Sequence, residues 1–309
     1  MPVEELTVTS GDIELSGSLI TPEGDGPFPL VVVLHNASRG TRSFLLYDHL
    51  REVLLPRGIA VFVHDRRGEG TSGGDADAAT LEDKAQDVIA WVDLLSAHPA
   101  VDPDRIGFWG HSQGGWIGPM TAAVRPKIAT MICVSAAAVT PGVQMCYAAH
   151  TQILEQGFSE EDADRAVAMR QTVDEYFRGN GSKEAAIEAI DAVKSEPWFP
   201  TAFDIDPRRE GTESWSEEVD YDISPVLRRL RLPCLLIFGE TDRWQPADQT
   251  AEIWRDSLPE GVELVVEKLQ GAGHTPTLAK DPRDTQETGP ISPQYEQLVV
   301  DWFTRHLGV

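Results

Sequence analysis

Basic residues are scarce in this chain: 26 Lys and Arg stand against 50 Asp and Glu, a formal charge of −24 over 309 residues. So acidic a surface repels phosphate backbones and anionic lipid headgroups, which argues against nucleic acid and against membrane surfaces as partners. Cysteine is nearly missing too. The three present, Cys133, Cys146 and Cys234, cannot all pair, and two of them lie in apolar strand-like runs. Cys133 and Cys234 are therefore expected to be small core residues and not reactive thiols. No apolar stretch approaches the roughly 20 residues that cross a bilayer. Met1 to Leu6 has neither the basic region nor the apolar core of a secretion signal, which predicts a soluble, cytoplasmic protein. Also missing are the H-E-x-x-H pairs, cysteine clusters and phosphate-binding glycine loops that mark metal and nucleotide sites, so no metal and no cofactor is expected. No internal repeat is visible, and a homo-oligomer stays open.

What is present is concentrated chemistry. Gly110-His111-Ser112-Gln113-Gly114 follows the apolar run Arg105 to Trp109 and precedes a small-residue helix, Gly115 to Val124. A serine on a tight strand-to-helix turn has strained backbone angles, and flanking glycines are needed where a side chain would strike the neighbouring strand and helix. Ser112 is thus the candidate nucleophile. Such a turn requires an acid and then a histidine further along the chain. The apolar run Leu232 to Gly239 ends in Glu240-Thr241-Asp242, and Asp242 is the candidate acid, with Glu240 two residues earlier as the competitor. The strand Glu263 to Leu269 leads into Gln270-Gly271-Ala272-Gly273-His274, whose glycines let a loop carry an imidazole back to the serine. His274 is the candidate general base; His111 is expected to point away from the nucleophile, and the other histidines fall at strand ends, helices or turns.

A serine hydroxyl is a weak nucleophile at neutral pH, so an imidazole must take its proton and return it to the leaving group, while a carboxylate holds the imidazole's tautomer. The tetrahedral intermediate also needs backbone donors. One is expected from Gln113 at the helix start. The second falls in His35-Asn36-Ala37-Ser38-Arg39-Gly40, after the strand Pro29 to Leu34, with Ala37 first and Asn36 as fallback.

The organisation around these residues is alternating. Residues 4 to 20 alternate apolar and polar, predicting an antiparallel hairpin at a sheet edge. Nearly all-apolar strands then recur near 29–35, 59–64, 105–110, 129–135, 232–238 and 263–269, with helices over Phe44 to Pro56 and Leu81 to Ala97 between them. This is an α/β pattern of mostly parallel strands covered on both faces, a doubly wound sheet whose ligands bind outside the carboxyl ends of the strands. The core is expected over 1–140 and 226–309, and 141–225 as an inserted helical cap, with helices starting at Ser159 and Ser182 and a return linker from Asp204 to Glu218. In that insertion Trp198 and Trp215 either pack the cap or shape an acyl pocket; with Asn36 and Trp116 they are the candidate substrate-binding residues. Asp65 and Arg67 are expected to hold the turn after their strand, and Arg39, Arg42, Arg66 and Arg67 to lie near the site mouth.

Taken together, these features resemble the α/β-hydrolase superfamily. Asp65-Arg66-Arg67-Gly68-Glu69-Gly70-Thr71-Ser72 is similar to the D-x-R-G-x-G-x-S turn of its dienelactone-hydrolase-like and prolyl-oligopeptidase-like branch. The likeness covers about residues 28–140 and 225–309, and it departs at Asn36, where family members usually carry glycine. The resemblance implies a cofactor-independent serine esterase acting on a small-molecule acyl substrate. Acyl-peptidase, aminopeptidase, thioesterase, lactone hydrolase and carbon–carbon hydrolase use the same triad, and a ligand receptor on the same fold is the non-enzyme alternative.

Overall fold

The amino-terminal alternation folds into a hairpin: β1 (Val3–Ser10) and β2 (Ile13–Ile20) pair antiparallel from Val3 against Ile20 to Ser10 against Ile13. It forms one edge of an eight-stranded sheet in the order β1-β2-β4-β3-β5-β6-β7-β8. The other strands are β3 (Phe28–Leu34), β4 (Ala60–His64), β5 (Val101–His111), β6 (Ile128–Val134), β7 (Cys234–Gly239) and β8 (Leu264–Leu269). From β4 to β8 every neighbouring pair is parallel, as their nearly uninterrupted apolar character requires. The computed structural model describes residues 1–38, 40–202, 205–212, 214–278 and 289–309.

Period-two alternation assigns the strand side chains to two cores. In β3, Leu30, Val32 and Leu34 join one buried cluster while Val31 and Val33 join another; in β7, Cys234, Leu236 and Phe238 divide from Leu235 and Ile237 in the same way. Each cluster is closed by helices. On the first face lie α2 (Leu81–Ser96) and α3 (Gly114–Ala122), with Trp91 and Ile117, and α9 (Ala247–Ser257), with Trp254. On the second lie α1 (Leu45–Leu54), with Leu50, and α10 (Pro293–Leu307), with Val299 and Phe303. The result is the doubly wound α/β sheet that the strand pattern predicts.

Between β6 and β7 the chain inserts α4 (Pro141–Glu155), α5 (Glu160–Phe177), α6 (Lys183–Val193) and the single turns α7 (Trp215–Glu218) and α8 (Ser224–Leu227). This insertion has a buried cluster of its own, built on Ile153, Ala166, Met169, Val173, Ile190 and Trp198. Ser159 caps α5, accepting from the Asp162 backbone N–H while the Asp162 side chain returns a bond to Ser159, and Ser182 caps α6. Arg39 of the expected site mouth and Asp204 and Glu213 of the expected linker lie outside the described residues. Among the described residues no helix is long and apolar enough to cross a membrane.

Candidate active site

Ser112 sits where β5 ends and α3 begins, and its backbone is left-handed, with φ 52°. A non-glycine residue takes that conformation at a cost of about 1–3 kcal/mol, which the surroundings must offset. They do so by packing α3 against the strand ends: a Cβ at Gly110 would lie 2.6 Å from the Gly114 carbonyl oxygen, and one at Gly114 would lie 2.5 Å from that of Leu34. The Ser112 N–H donates to Val134 O at 2.8 Å, tying the turn to β6. Ser112 is partly accessible.

His274 and Asp242 come together. The His274 Nδ1–H donates to both carboxylate oxygens of Asp242, at 3.1 and 3.0 Å. Asp242, after β7, is buried and also accepts the Trp244 N–H at 2.8 Å. Glu240 turns elsewhere, accepting the Gly271 N–H at 3.1 Å. It therefore holds the loop that carries His274 instead of facing the imidazole.

His111 faces the loop that carries His274. Its ring is buried, 5.2 Å between centroids from the ring of His274, and its Nε2 lies 3.0 Å from the His274 carbonyl oxygen. A carbonyl only accepts, so Nε2 carries the hydrogen; Nδ1 is then free to accept from Asn36 Nδ2 at 3.1 Å. Burial holds the imidazole neutral, its pKa pushed down to about 3, with the neighbouring His274 ring acting in the same direction. His111 thereby links the loop after β3 to the loop that carries His274.

The loop after β3 is fastened a second time by Arg66. Its Nη1 donates to Asn36 O at 2.8 Å and to Gln113 Oε1 at 3.2 Å, and its Nη2 donates to Ala37 O at 2.9 Å and to the Glu69 carboxylate. One guanidinium thus holds both segments expected to donate to an oxyanion. The Ala37 and Gln113 N–H groups have no backbone acceptor among the described residues. Gln113 is the N-cap of α3, where the orphan amides and the helix dipole favour an anion. Among the described residues no group of three His, Cys, Asp or Glu converges as metal ligands would.

A profile of the alpha/beta hydrolase family matches residues 31–286, most of the chain and all of these loops. The chain belongs to the alpha/beta hydrolase family. The hydrolase is 21% identical over 297 residues to an uncharacterised 31.7 kDa protein of Escherichia coli encoded in the traX-finO intergenic region, covering 93% of this chain and 94% of that one. It is 30% identical over 132 residues to the 2,6-dihydropseudooxynicotine hydrolase of Paenarthrobacter nicotinovorans, covering 42% of this chain and 34% of that one. Among solved structures, an esterase of Pyrococcus furiosus superposes with a TM-score of 0.61 at 17% identity, covering 99% of this chain and 91% of that one. The first match spans nearly the whole length of its partner; the second spans only a third.

The hydrolase has a cavity of about 280 Å³ whose walls include Ala37, Gln113, Arg66, Lys84, Ser214 and Glu218. None of the four candidate substrate-binding residues is among them. Trp198 is wholly buried in the insertion's own cluster and donates Nε1–H to Asp162 at 3.1 Å, so its ring packs within the insertion. Trp215 donates to Asp174 at 2.8 Å, and Trp116 is buried against the sheet on α3. The Asn36 side chain donates from Nδ2 to His111 and accepts the Ser38 N–H on Oδ1. Arg42 turns to Asp65, Glu5 and Thr71, and Arg67 pairs with Asp87, so among the described arginines of that group Arg66 is the one beside Ala37 and Gln113. Arg66 stood in the glycine-rich turn as a motif residue, which was the available signal; Lys84 and Glu218 carried none.

Proposed function

We propose that this hydrolase cleaves carboxylic esters of small or medium acyl groups through Ser112, His274 and Asp242. The observation that carries the reading is the left-handed backbone of Ser112, in the same cluster of loops as a histidine already paired to a buried carboxylate. Ser112 Oγ attacks the acyl carbonyl, and His274 Nε2 takes its proton and delivers it to the departing alkoxide. Asp242 fixes the tautomer and stabilises the imidazolium. The N–H groups of Gln113 and Ala37 receive the oxyanion, each contributing about 2.7–4 kcal/mol to lowering the barrier. Water activated by His274 then hydrolyses the acyl-enzyme.

We read the insertion as a lid, because Ser214 and Glu218 from its return segment wall the cavity beside Ala37 and Gln113. Three unpaired cysteines support a reducing, cytoplasmic compartment. The direct test is Ser112→Ala. It is expected to abolish p-nitrophenyl ester turnover and labelling by a fluorophosphonate probe while leaving the circular dichroism spectrum unchanged. Turnover that survives in a folded Ser112→Ala protein removes the serine from its role, and a panel of esters, thioesters, lactones and aminoacyl amides ranks the bond types.

A further inference from the structure

The cavity beside Ala37 and Gln113 has polar walls, where a site for a plain hydrocarbon chain would be mostly apolar. Its cations differ in what they do. Both terminal nitrogens of Arg66 are engaged, by Asn36 O and Gln113 Oε1 and by Ala37 O and Glu69. Lys84, half-buried in the first turn of α2, makes no hydrogen bond or ion pair through its ammonium among the described residues. Burial draws its pKa below the usual lysine value, with the fields of Arg66 and Arg67 in the same direction and those of Glu218 and Asp83 opposed. Across from the helix, Glu218 of α7 accepts the Leu81 N–H on Oε1 at 3.0 Å, and burial pushes its carboxyl above the ordinary value. An alkyl chain in this space would desolvate both groups further and leave the ammonium without an acceptor, which is costly.

Resting on the ester reading, we propose that this cavity is the substrate subsite for an oxygen-bearing chain, in which Lys84 donates to a hydroxyl or keto oxygen near the scissile carbonyl and Glu218 accepts from a hydroxyl. A neutral group fits better than an anion, because Arg66 is matched by Glu69, Lys84 is faced by Glu218, and Asp77 stands exposed in the cavity wall. At about 280 Å³ the space lies just below that of sites for drug-sized ligands, so it suits a short chain or a single ring.

The test compares kcat/KM within two pairs that differ by one hydroxyl: p-nitrophenyl β-hydroxybutyrate against p-nitrophenyl butyrate, and butanediol monoacetate against butyl acetate. The protein is expected to prefer the oxygenated member of at least one pair by about tenfold. Lys84→Met should erase that preference, and Lys84→Arg should keep it. Absence of preference in both pairs, or a preference that survives in Lys84→Met, overturns the proposal. Fluorophosphonate labelling of Ser112 in the same preparations separates the two readings. Should nothing label and no ester turn over, the ester reading falls, and the subsite is then read by thermal shift. Ethyl β-hydroxybutyrate should stabilise the protein more than ethyl butyrate, and Lys84→Met should remove the difference; equal shifts in the unaltered protein overturn the subsite as well.

Discussion

The ring of His111 joins two loops that the proposed acyl transfer would need in register, Asn36 with its neighbour Ala37 on one side and His274 on the other. The bond to Asn36 is buried and that to the His274 carbonyl partly so, and removing the ring leaves both without their partner and frees both loops to shift. A displacement of about 1 Å at reacting groups can cost about a hundredfold in rate. His111→Phe is therefore expected to lower kcat by about ten- to a hundredfold while KM moves by less than about threefold. Glutamine offers an acceptor and a donor on one side chain, so His111→Gln should recover most of the loss. Equal kcat values for the Phe and Gln variants would show that the ring serves only as filler. Residue-scale chemistry of this kind is only half legible in sequence. The types and order of Ser112, Asp242 and His274 announce themselves, and the rivalry with Glu240 is decided by which carboxylate meets the imidazole. The direction of His111 and the reach of Arg66 depend on loops 30 or more residues apart along the chain, as in the Arg66 bonds to Asn36 and Gln113.

At the scale of elements, legibility follows periodicity. Five of the six apolar runs become parallel strands buried on both faces and the sixth, β8, the half-exposed edge, while α2 is announced by the periodicity of Leu81 to Ala97 and α5 by Ser159 followed three residues later by an aspartate. Helices α4, α9 and α10 are not anticipated. In α9 the buried face is Thr250, Ala251, Trp254 and Ser257, too polar to read as an apolar stripe. Trp198 fails differently: a bulky run in an insertion must be buried somewhere, but sequence cannot say whether against the core or within the insertion. It packs within. The cap of α2 bears a prediction. Thr80 accepts the Asp83 N–H at 3.1 Å and Asp83 returns a bond to the Thr80 N–H, also at 3.1 Å. Thr80→Ala should lower unfolding free energy by about 1 kcal/mol, and Thr80→Ser by much less. Urea unfolding at constant m-value is the measurement, and an alanine variant with an unshifted midpoint would mean that the Leu81 bond to Glu218 holds the helix end alone.

Over the whole molecule the excess of negative charge and the buried histidines respond oppositely to acid. Protonating carboxylates relieves the repulsion of a −24 surface, and that relief is screened out in high salt. His35, His64 and His111 are buried and neutral; burial, the largest influence on each, sets the His64 pKa at about 4, that of His111 at about 3, and that of His35 well below its ordinary value. In the unfolded chain all three titrate near 6.5. Between those values the unfolded state binds more protons, so their contribution is complete above about pH 6.5 and is lost as pH falls toward the folded values. Each neutral histidine adds up to about 1.4 kcal/mol per pH unit to the slope. The carboxyls of Asp174 and Glu218, raised by burial, take up protons more readily folded than unfolded and so oppose this loss; the difference between the protein and a histidine variant from pH 6.5 to 5.5 therefore reads the imidazole. In high salt the unfolding free energy is expected to drop across that window. His64→Leu should make the drop shallower by about 1 kcal/mol, since it removes one of the three imidazoles that burial holds neutral. A stability profile that is level from pH 7.5 to 5.5 would mean that these imidazoles become protonated without unfolding the core.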